Sequence, residues 1–279
     1  MTDPMIIAGG IASAPIVLET TKRLLGPTLD LLGDGIKNGL ANRKSNISKV
    51  AARADTKADT SEPGAIPPRV AAEVFDKAQW AEDEFVTEYL SGMLASARTP
   101  AGTDDSAVSW TALVGRMSAD QLRLHYALYT ALRAKVAGKK FDNISEWESK
   151  EVFVGYSDLR LIALGWDQEF FVERLVEAAV GLAREGLITQ LGHGSSDFLA
   201  RVWSPTRKKA LPDGQFGFLV FTPTSAGSVL FLRAHGYRAH SGVLAEAELD
   251  VSYSGDPQDA PGAINSYWVE DLPPFNPPG

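Results

Sequence analysis

Two stretches decide the fold: residues 184–191, Arg-Glu-Gly-Leu-Ile-Thr-Gln-Leu, and residues 215–227, Gln-Phe-Gly-Phe-Leu-Val-Phe-Thr-Pro-Thr-Ser-Ala-Gly. In the first, Gly186 supplies the backbone freedom that ends a helix, and Leu187 to Leu191 reads as a strand. In the second, residues 215–222 read as another strand. Thr224 or Ser225 then caps a helix holding Val229, Leu230, Phe231 and Leu232, closed by Gly236. Working outward, Ser118-x-x-Gln121 is a capping box whose two side chains satisfy free amides at a helix start. That helix runs to about residue 137 through Leu122, Tyr126, Tyr129, Leu132 and Val136. Ser145 and Ser157 offer starts for two short helices. Asp167 caps a longer one to about 185, with Phe170, Phe171, Leu175, Ala178, Ala179 and Leu182 inward. The predicted order is three helices, two strands joined by an extended loop, and a further helix.

This order resembles a winged-helix domain over residues 119–240. In such domains the third helix enters the major groove of DNA. Here that helix offers Gln168, Glu169, Glu173, Arg174, Glu177, Arg184 and Glu185, four carboxylates against two guanidiniums, which phosphates repel. The inter-strand loop is more favourable: Arg201, Arg207, Lys208 and Lys209 are the candidate nucleic-acid contacts of a DNA-binding alternative. An acidic third helix disfavours that alternative and points the surfaces of the domain toward proteins.

Upstream, Pro67-Pro68 introduces a helix over about 69–97, whose apolar positions Val70, Val74, Ala78, Ala81, Phe85, Tyr89 and Met93 recur every three or four residues. Glu82-Asp83-Glu84 reads as solvated surface of that helix, and a further helix spans about 105–117. The expected fold class is mainly α with a small β-hairpin. Its predicted parts are an N-terminal helical segment (1–53), a linker (54–68), a helical domain (69–118), the winged-helix-like domain (119–240) and an acidic, Pro-rich tail (241–279). That tail holds seven acids (Glu246, Glu248, Asp250, Asp256, Asp259, Glu270, Asp271) and no Lys or Arg, so it carries most of the formal charge of −8. Tyr267, Trp268, Leu272 and Phe275 sit in it as large apolar anchors, the candidate partner-binding residues of a docking segment.

Composition excludes several chemistries. The chain has no Cys and only four His, so disulfides, Cys-ligated zinc, iron–sulfur clusters and thiol catalysis are out, and a His-based metal site is poorly supplied. No phosphate-cradling Gly-x-x-x-x-Gly-Lys-Ser/Thr loop, His-Glu-x-x-His or Gly-x-Ser-x-Gly occurs. Gly192-His-Gly-Ser-Ser-Asp197 crowds a base, hydroxyls and a carboxylate into six residues, but reads as a mobile loop tip. No catalytic residue, metal ligand or cofactor is assigned, and the expectation is a non-enzyme. His125 reads as a core histidine. The uncharged run Met5 to Leu18 is too short to span a bilayer before Glu19, Lys22 and Arg23 arrive, and lacks a basic leader, so a cytoplasmic protein is expected. Self-association stays open, as does contact of residues 5–53 with a membrane surface.

Three stretches together resemble the Abi-alpha family, the abortive-infection alpha-like domain of bacteria. They are Gly26 to Ile36 leading to Asn42–Lys49, Trp80–Ala97, and Val108–Asp120. In the last, Met117-Ser118-Ala119-Asp120 fills the place of a Leu-Ser-x-x-Asp-like turn, with Met for Leu. The resemblance covers about residues 20–235 and leaves the tail outside. It implies a setting in phage defence and carries no catalytic residue across. The function expected is therefore that of a non-enzymatic bacterial protein working through a protein partner, with a DNA-binding regulator and a membrane-perturbing effector as alternatives.

Overall fold

A computed structural model describes residues 44–59, 61, 63–160, 166, 169–256, 262 and 264–276. The uncharged N-terminal run, the Gly26–Ile36 stretch and the Asp167 cap lie outside the described residues. The chain divides into two compact units, one of residues 44–115 with 234–237, the other of residues 116–233 with 238–276.

The first unit is built from α1 (Lys44–Lys57), α2 (Pro68–Ala78), α3 (Glu84–Ser96) and α4 (Ala107–Val114). The expected helix over 69–97 is broken in two. The Asp83 carboxylate accepts hydrogen bonds from Phe85 and Val86 N–H and starts α3 afresh. The apolar period runs on across the break, because Phe85, Tyr89 and Met93 are buried as fully as Val70 and Val74.

Glu84, which reads as solvated surface in the sequence, instead takes part in a row of ion pairs that joins α1 to α3. Lys49, Arg53 and Lys57 recur every four residues on α1, and Glu84 and Glu88 do so on α3, so each row lies along one helix face. Lys49 and Arg53 both pair with Glu84, Arg53 approaches Glu88 at 3.8 Å, and Lys57 Nζ meets Glu88 Oε1 at 2.9 Å. Glu88 is wholly buried. Lys57 Nζ also donates to the Glu88 carbonyl (2.8 Å) and to the Ala234 carbonyl (2.6 Å), so its three protons are all placed. Burial pushes the Lys57 ammonium down to about 8, against the pull of Glu88.

The second unit contains α5 (Ala119–Val136), β1 (Val152–Gly155), α6 (Phe171–Arg184), β2 (Ile188–Ser195), α7 (Ser196–Arg207), β3 (Gly217–Pro223), α8 (Ser225–Ala234, whose last residue belongs to the first unit) and β4 (Ser266–Trp268). The capping box of Ser118 and Gln121 is complete, with Gln121 N–H on Ser118 Oγ and Ser118 N–H on Gln121 Oε1. At the end of α6, Gly186 (φ +70°) and Leu187 return their N–H groups to the Ala183 and Leu182 carbonyls, closing the helix in a Schellman turn.

The expectation of a mainly helical chain with a small hairpin is corrected here. Four strands form one antiparallel sheet in the order β2-β3-β1-β4. Two of them were unread. Every residue of β1 is buried, so Val152-Phe-Val-Gly155 shows none of the alternation that marks a half-exposed strand. β4 lies in the segment expected to be an acidic, Pro-rich tail, and it pairs Ser266, Tyr267 and Trp268 with Val154, Phe153 and Val152. The extended loop expected between β2 and β3 is also replaced, by α7: Ser195 Oγ accepts the Phe198 N–H and caps it.

Both sheet faces are covered. Phe153, Phe218 and Val220 pack on one side with Leu199 of α7 and with Val269 and Leu272 from the end of the chain, while Trp203 and Leu211 close the margin. The alternate residues Val152, Val154, Leu219 and Phe221 point to the other side and are equally buried. On α5, His125 is buried and stacked on Tyr129 at 4.5 Å. The Tyr129 hydroxyl donates to the Leu187 carbonyl (2.5 Å) and accepts the Thr224 N–H (3.0 Å), joining the starts of β2 and α8.

The Lys57–Glu88 pair yields a two-part prediction. Glu88→Leu leaves Lys57 buried without its carboxylate and costs about 3–5 kcal/mol, whereas Lys57→Met/Glu88→Leu recovers most of that loss in urea unfolding. Because the native ammonium releases its proton at a lower pH than the unfolded one, the unfolded chain binds more protons between about pH 8 and 10.5. Raising the pH from about 7.5 to 9.5 therefore stabilises the wild type by about 2 kcal/mol relative to Lys57→Met.

Candidate interaction face

The four anchors of the C-terminal segment are divided by the structure. Trp268 and Leu272 are buried in their own unit, Phe275 is half-buried, and Tyr267 alone keeps a large exposed area, at 38%. Backbone and charge hold the segment as well as burial does. Lys209 Nζ donates to the Glu270 and Leu272 carbonyls, Ala210 N–H to Pro273 O (2.8 Å), and Phe275 N–H to Lys208 O (3.1 Å). Lys150 pairs with Glu270 at 3.0 Å and lies over the Trp268 ring, while Lys135 lies over Tyr267. Earlier in the segment, Arg133 Nη2 donates to the carbonyls of Glu246 (2.6 Å), Ala247 and Leu249. Cations of the unit itself thus hold the segment, through the Glu270 carboxylate and several backbone carbonyls, and two of the anchors are spent on the chain's own sheet.

The candidate nucleic-acid cations are scattered by the same arrangement. Arg201 and Arg207 lie on α7, Lys208 is its left-handed C-cap (φ +54°), and Lys209 follows. Arg207 pairs with Glu151 at 2.6 Å and Lys209 is held by the carbonyls of the last segment. Arg201 and Lys208 remain exposed. On α6, the outward positions are Glu173, Glu177, Val180 and Arg184, spaced three or four apart. Arg174 turns sideways, bidentate on Asp120 (2.7 and 3.0 Å) and 4.5 Å from the Trp166 ring centre. A groove of about 680 Å³ between the start of α5 and α6 is lined by this Arg174–Asp120 pair together with Glu173, Glu177 and Arg184.

The unit also leaves large apolar side chains open to solvent. Phe198 (46% exposed) and Val202 (53%) stand one turn apart on α7, and Phe216 (46%) lies at the start of the same helix, where its carbonyl accepts the Ser196 N–H. The Phe216 ring rests against Tyr156 and Phe171 at 5.6 and 6.1 Å. The opposite side of α7 is fixed, since Leu199 and Ser204 are buried and Trp203 packs against Phe153 at 5.3 Å. Phe198 and Val202 thus form a small exposed apolar stripe on a helix whose other side is fixed in the core.

The crowded Gly192–Asp197 stretch does not assemble a triad. Gly192 to Ser195 complete β2, Ser195 caps α7, Ser196 Oγ donates to the Gln215 carbonyl, and Asp197 faces solvent. Among the described residues no group of three or more metal-ligating side chains comes together, and no helix is long and apolar enough to cross a membrane. The α7 face escaped sequence reading because the Gly-rich end of β2 looked like a loop. The Ser195-Ser196-Asp197 capping residues were the available signal.

Truncation of Trp268 tests where the last segment belongs. Trp268→Ala is expected to cost about 3–5 kcal/mol in urea unfolding, as for a large core aromatic, and Tyr267→Ala under about 1 kcal/mol. Equal small effects contradict the packing described.

Comparison with family profiles, with curated proteins and with solved structures finds no match for this chain.

Proposed function

We propose that the chain is a non-enzymatic bacterial protein of Abi-alpha type, acting in the cytoplasm in or beside phage defence through protein–protein contacts. The observation that carries the protein-contact part is the exposed pair Phe198 and Val202, one turn apart on α7, a helix whose other side is locked into the core. The defence setting rests on the resemblance of residues 26–36 with 42–49, 80–97 and 108–120 to that family. Within those stretches the described residues build the start of α1, α3, α4 and the start of α5. The C-terminal anchors support partner binding less than their sequence suggested, since Trp268 and Leu272 already cover the sheet. A DNA-binding regulator draws less support still, with Arg207 and Lys209 engaged inside the unit and an outward α6 face that carries Glu173 and Glu177.

Phage plating on a bacterial host expressing the full chain tests the reading. Expression of the wild type is expected to lower plating, and Phe198→Asp/Val202→Asp, which replaces exposed residues and leaves the fold intact, is expected to restore it. Plating that is the same with and without the chain, across a panel of phages, contradicts the defence role. Protection that survives the double substitution contradicts the α7 face as its contact surface.

A further inference from the structure

The outward side of α7 carries a charge pattern as well as apolar residues. Asp197 and Arg201 lie one turn apart along one flank of the stripe formed by Phe198 and Val202, and all four are exposed. Among the described residues neither Asp197 nor Arg201 has an ion-pair partner; Arg201 Nε reaches only the Asp197 carbonyl, at 3.3 Å. The order along the flank is acid then base, and along the stripe large then small.

Such a pattern is complementary to itself when reversed. A two-fold axis perpendicular to a pair of antiparallel helices keeps each flank facing the same flank of the other copy, while inverting the direction of the chain. With the axis level with the Leu199–Ala200 step, Phe198 of one copy meets Val202 of the other. Asp197 then meets Arg201 within a few ångströms along the helix, at a rise of about 1.5 Å per residue. Two apolar contacts and two ion pairs form together, each made twice by symmetry. A parallel pairing about a two-fold axis along the helices carries the charged flanks to opposite sides of the seam. A one-turn shift of the antiparallel pairing sets Asp197 against Asp197 or Arg201 against Arg201. Either loses the ion pairs, so the charges fix direction and register as flanking charges do in coiled coils.

We propose that α7 is a self-association face: the partner that fits Phe198 and Val202 is a second copy of this chain, paired antiparallel about a two-fold axis near Ala200, with Asp197 and Arg201 exchanging ion pairs. The proposal deepens the protein-contact reading and rests on the same face. Phe216, exposed as well, is tied to the start of the helix through its carbonyl, which accepts the Ser196 N–H. A face of one three-turn helix is smaller than a standard permanent interface, so the dimer is reversible and concentration-dependent.

Sedimentation velocity of the full chain, from roughly 1 µM to roughly 0.5 mM, tests this where interfaces of this size equilibrate. Wild type is expected to shift from monomer to dimer mass across the range. Asp197→Arg makes the flank doubly basic and Arg201→Asp makes it doubly acidic, so each variant alone is expected to stay monomeric. Their equimolar mixture is expected to regain the dimer, because the two flanks are then opposite in charge. Both substitutions are on the surface, and recovery on mixing shows that both chains are folded. A wild type that stays monomeric throughout overturns the proposal, as does a dimer that both single variants retain. These outcomes separate from the plating assay. A monomeric wild type that protects against phage, and loses protection with Phe198→Asp/Val202→Asp, overturns self-association and leaves the contact reading in place.

Discussion

The packing of the last residues against β1 is the constraint on which the second unit depends. β1 is only four residues long and buried on both faces, so it needs a partner on each edge and cover on each side. β3 supplies one edge and β4 the other. Val269 and Leu272 then complete the apolar cluster that also holds Leu199 of α7. The same residues that finish the sheet therefore fix the helix beside it, and a fixed inner side is what keeps Phe198 and Val202 outside. Lys209 reinforces the arrangement by holding the Glu270 and Leu272 carbonyls, and Lys150 by pairing with Glu270. Residues 266–275, in a stretch of acid and proline, are held by lysines of their own unit together with the sheet and the apolar cluster.

The first unit solves a different problem with buried charge. Its helices are joined by the row Lys49, Arg53, Lys57 against Glu84 and Glu88, in addition to an ordinary apolar core. Burying ions is costly unless each finds partners, and Lys57 meets that condition with one carboxylate and two carbonyl oxygens. Hydrogen bonds from Lys49 and Arg53 likewise hold the Glu84 carboxyl below its usual range, although burial works the other way. Ion pairs of this kind specify which helix faces meet more than they add net stability.

Legibility in the sequence followed how local each signal was. The Ser118–Gln121 capping box, the Gly186 helix end, the strand after Phe216 and the core position of His125 each depend on a few adjacent residues, and each is present in the structure. β1 and β4 depend on distant partners, since one lacks alternation and the other is three residues long. The break before Asp83 hid behind an apolar period that continues through it, although a capping Asp was there to be seen. The charge row was also available as a four-residue spacing on two segments, but a run of like charge ordinarily means solvated surface, and only the packing of α1 on α3 shows otherwise. The α7 face was the hardest to see, because its first turn follows a glycine-rich stretch and Pro205 lies inside it. Its self-complementary charges acquire meaning only once the inner side is known.

Amide hydrogen exchange on the full chain tests most directly whether the last segment holds α7 in place. The account predicts that the amides of Leu199 to Ser204 are protected to the same degree as those of β3 in the wild type, and that Leu272→Ala lowers their protection while α1 and α3 keep theirs. Fast exchange across α7 in the wild type, or protection there that is indifferent to Leu272→Ala, would contradict it.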